Sequence, residues 1–156
     1  MDAEPVADPA SPMVDSLVEL AFAVHDVLTH ASAAFGLSVT QLRLLGIVRD
    51  RTPPMTAIAR HLGLDRSSVT GLVDRAERRD LVSRVTSTDD ARVTLVRIAP
   101  EGVAVGRLVA TRVTAEMEGL VARVPPSDRD SIMRVAMSVL EVQAERRPAG
   151  TPSRPG

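Results

Sequence analysis

The chain has 156 residues, a net charge of −1, 44% apolar but only 1% aromatic residues, and no cysteine. That length holds one ordinary core per protomer, and with so few aromatics the core must be packed from Val, Leu, Ile, Ala and Met, which favours helices with aliphatic faces. Disulfides, cysteine-ligated zinc and thiol redox switching within the chain are excluded, and no apolar run reaches the roughly 20 residues of a membrane helix.

Residues 1–12 are acidic and Pro-rich and residues 147–156 are rich in Pro, Gly and Ser, so both are expected to be disordered tails around a domain spanning 13–146. The start also lacks the basic and apolar regions of a signal peptide, which predicts a cytoplasmic protein with no membrane partner. From Met13 to about Phe35, Leu17, Leu20, Ala21, Val24, Val27, Leu28 and Ala31 recur at spacings of three and four, the stripe of a long helix that Gly36 ends. Ser38 and Gln41 form a capping-box pattern opening a second helix with Leu42, Leu45 and Val48 inward, and Pro53-Pro54 closes the stretch after it.

Thr56 to Leu62 predicts a third helix with Ile58, Ala59 and Leu62 inward, and Gly63 permits a tight turn. Asp65 is a good N-cap for a fourth helix to about Arg79, buried along Val69, Leu72, Val73 and Ala76. Leu81–Thr86 and Val93–Ile98 alternate apolar and polar residues around Ser87-Thr88-Asp89-Asp90, which predicts a β-hairpin. Pro100 suits the first turn of a long fifth helix ending near Pro125, carrying Val103, Val109, Val113, Met117, Leu120 and Val121. A sixth, capped by Ser127 with Asp130, follows with Ile132, Val135, Ala136, Val139 and Leu140.

The expected fold is therefore mainly α with a small β-wing, six helices and a two-stranded hairpin. A short helix, a Gly turn, a helix opening with small polar residues and a hairpin make the layout of a winged helix-turn-helix, here 38–98. A helix that reads a major groove must bury one side and offer the other. Arg66, Ser67, Ser68, Thr70 and Gly71 are short or basic at the N-terminal end of the fourth helix, where close backbone approach and the helix terminus favour phosphate. Charge follows the same division: residues 1–50 carry two Arg against seven acids, whereas 51–97 carry nine Arg against six, so the basic excess lies in the middle third.

The strings LSVTQLRLL, IARHLGLDRSSVTGLVDRAERRDLVSR and DDARVTLVRIAPEG resemble the multiple-antibiotic-resistance regulator (MarR) family, and with the flanking helices the resemblance covers roughly residues 13–146. Its most specific element is Asp90-x-Arg92 followed at the family's spacing by Ile98 and Gly102. The resemblance implies a transcription regulator, a repressor of promoters. Arg66, Ser67, Ser68, Thr70, Gly71 and Arg75 would lie at the major groove, Arg92 would reach from the wing tip into the minor groove, and Asp90 would hold the wing by pairing with a nearby Arg. It also implies that helices within 13–36 and 100–146 interlock two protomers into a homodimer, whose two-fold symmetry matches double-stranded DNA carrying a palindromic operator. Family members commonly release DNA on binding a small aromatic or anionic compound, and Phe22, His25, Val48 and Arg49 are the candidate lining residues by position.

The sequence departs from the family pattern at three places: Gly71 replaces a residue that is often basic, Asp80 the usual Gly after the fourth helix, and Ala99 the usual Thr, leaving the fifth helix without a side-chain cap. Asp tolerates the left-handed conformation that Gly normally supplies. His25, His30 and His61 lack the spacing of a zinc motif, and there is no G-x-S-x-G, phosphate loop or H-E-x-x-H, so neither metal, cofactor nor catalysis is expected. The alternative reading is a protein-interaction dimer of the same fold that has lost sequence-specific DNA binding.

Overall fold

Proline has no N–H to lose at the start of a helix, and Pro12 occupies the first position of α1 (Pro12–Ala33), one residue ahead of the expected start. The computed structural model describes residues 11–146; the remainder of both predicted tails, 1–10 and 147–156, lies outside the described residues. The elements that follow are α2 (Val39–Val48), α3 (Met55–Leu62), α4 (Arg66–Glu77), β1 (Val82–Thr86), β2 (Thr94–Ile98), α5 (Pro100–Val121) and α6 (Pro126–Arg146). These are the six helices and the hairpin expected. The described chain divides into two compact units, which part between Met117 and Glu118.

In the first unit, α2 opens with the predicted capping box: Ser38 Oγ accepts from Gln41 N–H at 3.2 Å, and Gln41 Oε1 accepts from Ser38 N–H at 3.0 Å. Three helices leave by one device. The N–H groups of Leu37, Leu64 and Leu81 donate to the carbonyls of Ser32, Ala59 and Ala76, five residues back, each at 3.0 Å. That closure puts the residue before each leucine in the left-handed region. Gly36 (φ 65°) and Gly63 (φ 68°) take it without cost, and Asp80 takes it with φ 54° in the role foreseen for it.

The core joins Leu44 and Val48 of α2, Ile58 of α3, Val69, Leu72 and Val73 of α4, Leu81, Val96 of β2 and Val109 of α5. All four residues expected on the inner face of α4 are buried. β1 and β2 pair antiparallel from Val82 opposite Ile98 to Thr86 opposite Thr94. The Pro53 carbonyl accepts from Val96 N–H at 2.9 Å and Pro54 bridges to Leu95, so the two prolines brace the outer edge of β2. A proline cannot donate to a ladder but its carbonyl still accepts.

Gly102 is buried where α5 meets the turn out of α4. A Cβ there would stand 2.0 Å from the Leu81 carbonyl oxygen and 3.0 Å from Ile98 Cγ1. The same carbonyl accepts from Ala99 N–H at 3.0 Å, so the backbone of Ala99 secures the start of α5 where a side-chain cap is missing.

α1 buries only Val27, Ala31 and Ser32; Leu17 and Leu20 of its apolar stripe are exposed, and so is Phe22. In the second unit, Ile132, Met133, Val135, Val139 and Leu140 of α6 are exposed as well. Periodicity marks these stripes as apolar, but within one chain they remain largely uncovered. The expected cap of α6 is corrected. Pro126 fits the first helical position, so the Pro125 carbonyl accepts from the N–H groups of Asp128 and Arg129, and Ser127 lies inside the helix with its hydroxyl on the Asp128 carboxylate.

Gly102→Ala separates close packing from helix propensity. Propensity alone would stabilise α5 by about 1 kcal/mol, whereas the contact with Leu81 O should destabilise the protein by about 3 kcal/mol. A fall in the urea midpoint with an unchanged m-value is the expected result.

Candidate nucleic-acid interface

α4 is buried along Val69, Leu72, Val73 and Ala76, which leaves Arg66, Ser67, Ser68, Thr70 and Arg75 exposed and Gly71 half-exposed. Its first turn is organised by Asp65. Oδ1 accepts from Ser68 N–H at 2.9 Å and from the Ser67 hydroxyl at 2.6 Å, while Oδ2 accepts from the Ser68 hydroxyl at 2.6 Å. The hydroxyl bonds from Ser67 and then Ser68 hold this carboxyl far below the usual carboxylate range, so it stays ionised at any physiological pH. One turn on, the Thr70 hydroxyl donates to the Arg66 carbonyl at 2.8 Å.

Gly71 matters for a neighbour: a Cβ there would come within 3.3 Å of Arg75 Nη1. Where the family pattern often has a long basic side chain, this helix has bare backbone beside an arginine four residues on.

The hairpin tip is tightly tied. Ser87 N–H donates to Val93 O at 3.0 Å and Val93 N–H to Asp90 O at 2.9 Å. Asp90 Oδ1 accepts from Arg92 N–H at 2.9 Å and from Arg92 Nε at 3.2 Å. The arginine that Asp90 pairs with is thus Arg92 itself, whose side chain is 92% exposed.

The base of the wing is joined to α4 by Arg84 of β1. Its Nη2 donates to Asp74 Oδ1 at 2.6 Å, its Nη1 donates to Glu77 Oε2, and Glu77 Oε1 also accepts from Arg84 N–H at 3.0 Å. Partial burial works against the Arg84 charge, but the bonds to Asp74 and then Glu77 outweigh it, and the guanidinium is held more firmly protonated than usual.

Two open clefts flank α4. One, of about 430 Å³, is lined by Ser38, Thr40, Ser67, Ser68, Gly71 and Arg75 among others. The other, of about 420 Å³, lies towards the wing and includes Arg66, Thr70, Arg84 and Arg92. Seven of the eight residues singled out from the sequence for DNA contact therefore line one or other cleft, and the eighth, Asp90, positions Arg92.

Sequence reasoning missed Arg84 and its partners Asp74 and Glu77, and also Ser38 and Thr40. An arginine in a strand facing two acids one turn apart on the preceding helix was the available signal.

Of the proposed ligand-lining set, one member lies in the core and three are exposed. Val48 is 1% exposed and belongs to the core, because it sits on the inward face of α2. Phe22 is 61% exposed on α1, His25 is exposed, and Arg49 is exposed and paired with Asp50. Among the described residues, no three His, Cys, Asp or Glu side chains gather as a metal site, and no helix is long and apolar enough to cross a membrane.

A helix with one polar face, a capped N-terminus and an adjoining arginine-tipped hairpin defines a winged helix-turn-helix fold. Residues 35–93 match the family model described as "MarR family". The uncharacterized HTH-type transcriptional regulator YhbI of Bacillus subtilis is 26% identical over 109 residues, covering 69% of this chain and 71% of YhbI. The wild-type apo MarR structure from E. coli superposes with a TM-score of 0.75 at 16% identity, over 85% of this chain and 99% of MarR. The structure of CouR from Rhodococcus jostii RHA1 bound to p-coumaroyl-CoA gives 0.68 at 23% identity, over 85% and 95% of the two chains. The resemblance read from the sequence strings is borne out, and the chain has the fold of the MarR-family transcription regulators.

Replacing Arg84 by Ala should lower stability by about 1 kcal/mol, a value reduced by the partial exposure of all three side chains. The loss should shrink in high salt and be non-additive with Glu77→Gln, which thermal unfolding of the two single variants and the double variant would measure.

Proposed function

We propose that the protein is a DNA-binding transcription regulator that acts as a homodimer on an inverted repeat and represses by occupying a promoter. The observation that carries this reading is the clustering of Arg66, Ser67, Ser68, Thr70 and Arg75 on the exposed face of α4, with Arg92 at an adjoining hairpin tip. In that arrangement the helix face would read base edges in the major groove and Arg92 would enter the minor groove. Gly71 lets the α4 backbone approach closely. The uncovered apolar faces on α1 and on α6 support dimerisation, since exposed stripes of this extent mark interaction surfaces. A two-fold dimer would place its reading helices about one DNA turn apart.

Release by a small aromatic or anionic ligand is a further part of this reading, supported by the fold shared with CouR, whose structure holds p-coumaroyl-CoA. Such a ligand would act by favouring a lobe spacing that no longer fits one turn of DNA.

Titration of the purified protein against random-sequence and genomic fragments at several salt concentrations, with sequencing of the retained fragments, tests the reading. A palindromic consensus bound with strong salt dependence is the expected outcome. No retention at low salt would move the reading to a protein-interaction dimer. Arg92→Ala should weaken binding across sequences and reduce the salt slope by about 1, whereas changes at Ser68 or Thr70 should alter sequence preference more than affinity. Unchanged affinity in Arg92→Ala would remove the wing from the interface.

A further inference from the structure

A serine hydroxyl has one proton and two lone pairs, and an ionised carboxylate can only accept. Ser67 and Ser68 must therefore each spend their proton on Asp65, and the 2.6 Å separations lie in the range of charge-assisted O–H···O⁻ bonds, roughly twice as strong as neutral ones. Thr70 likewise spends its proton on the Arg66 carbonyl, but at 2.8 Å and to a neutral acceptor, so it is the more easily re-aimed of the three. All three side chains are exposed, so what they turn outward is lone pairs.

We propose that Asp65 is a specificity-setting positioning residue. By holding the hydroxyl protons of Ser67 and Ser68 it makes these side chains acceptors, so that they select base edges bearing an amino group. The inference rests on α4 being the DNA-reading helix. In the major groove cytosine offers only its N4 amino donor, thymine offers only its O4 acceptor beside a methyl group, and guanine offers only acceptors. Adenine offers both kinds of group. The cytosine-to-thymine ratio is therefore the clean readout.

Asp65→Asn reverses one of the two hydroxyls and leaves the helix cap in place. The amide oxygen must stay on Ser68 N–H and the Ser67 hydroxyl, because turning it would aim an NH2 at a backbone N–H. The amide nitrogen then takes the place of Oδ2 and donates to the Ser68 oxygen. Ser68 must then turn its proton outward and become a donor. Asn caps a helix about as well as Asp, so a purely structural role for Asp65 would leave base preference unmoved.

The experiment uses the full chain as wild type, Asp65→Asn and Ser68→Ala, each bound to a library of the wild-type consensus randomised within its half-sites, with thermal unfolding recorded for all three. The position read by Ser68 is the one whose preference Ser68→Ala abolishes. There the wild type should favour cytosine over thymine roughly tenfold, and Asp65→Asn should reverse that ratio. The proposal is overturned if Asp65→Asn keeps the wild-type ratio, or if Ser68→Ala flattens no position, a test that stands even should the Asn variant fold poorly. A wild type that retains no DNA at low salt overturns the DNA-binding reading and this proposal together. Retention with an unmoved ratio overturns this proposal alone.

Discussion

The geometry of the candidate interface depends on Arg84. A hairpin of two five-residue strands has little rigidity of its own, and Arg92 at its tip is held only by the turn and by Asp90. Arg84 converts the hairpin into an extension of α4 by binding its Asp74 and Glu77 through the side chain and Glu77 again through the backbone N–H. Pro53 and Pro54 brace the other edge of β2. With both edges secured, the separation between the face of α4 and Arg92 is a property of the folded lobe, and a groove-reading site needs that separation to be constant.

Charge supports the same arrangement. The acids of α4, Asp74 and Glu77, are taken up by Arg84, and Asp65 is taken up by the first turn, so of the four arginines that line the two clefts Arg66, Arg75 and Arg92 remain exposed. A net charge of −1 therefore coexists with a locally basic surface. The carboxylates in this region have their own partners close by, and the cations have solvent in front of them.

Most of the lobe could be read from the sequence because its signals are local. The Asp65 cap, the Ser38 and Gln41 capping box, the four apolar positions of α4 and the alternation of the hairpin each depend on residues within a few positions of one another. What escaped notice was non-local or competitive. Arg84 reads as an outward strand residue until the strand is known to lie beside α4. Val48 was a candidate ligand contact by position, yet the same helix pattern that turned it inward put it fully in the core. Ser127 lost its capping role because Pro126, adjacent and stronger as a first-position residue, starts the helix earlier. The stripes on α1 and α6 were legible as apolar, but periodicity carries no information about whether the same chain or a second copy covers them.

α4 has a second tie just past its C-terminal end. Arg79, just past the helix, donates from Nη1 to the Gly36 carbonyl at 2.5 Å and from Nη2 to the Phe35 carbonyl at 2.9 Å. Those carbonyls belong to the left-handed turn that ends α1, and the turn leaves them without helical donors of their own. α4 is therefore pinned to the wing through Arg84 and to the end of α1 through Arg79. A displacement of the C-terminal end of α1 would reach the end of α4 through two charge-assisted hydrogen bonds, and the wing would follow through Arg84. Were two protomers to meet along the apolar face of α1, as the proposed function has it, this chain of contacts would make the spacing of the two α4 helices depend on how the α1 helices pack.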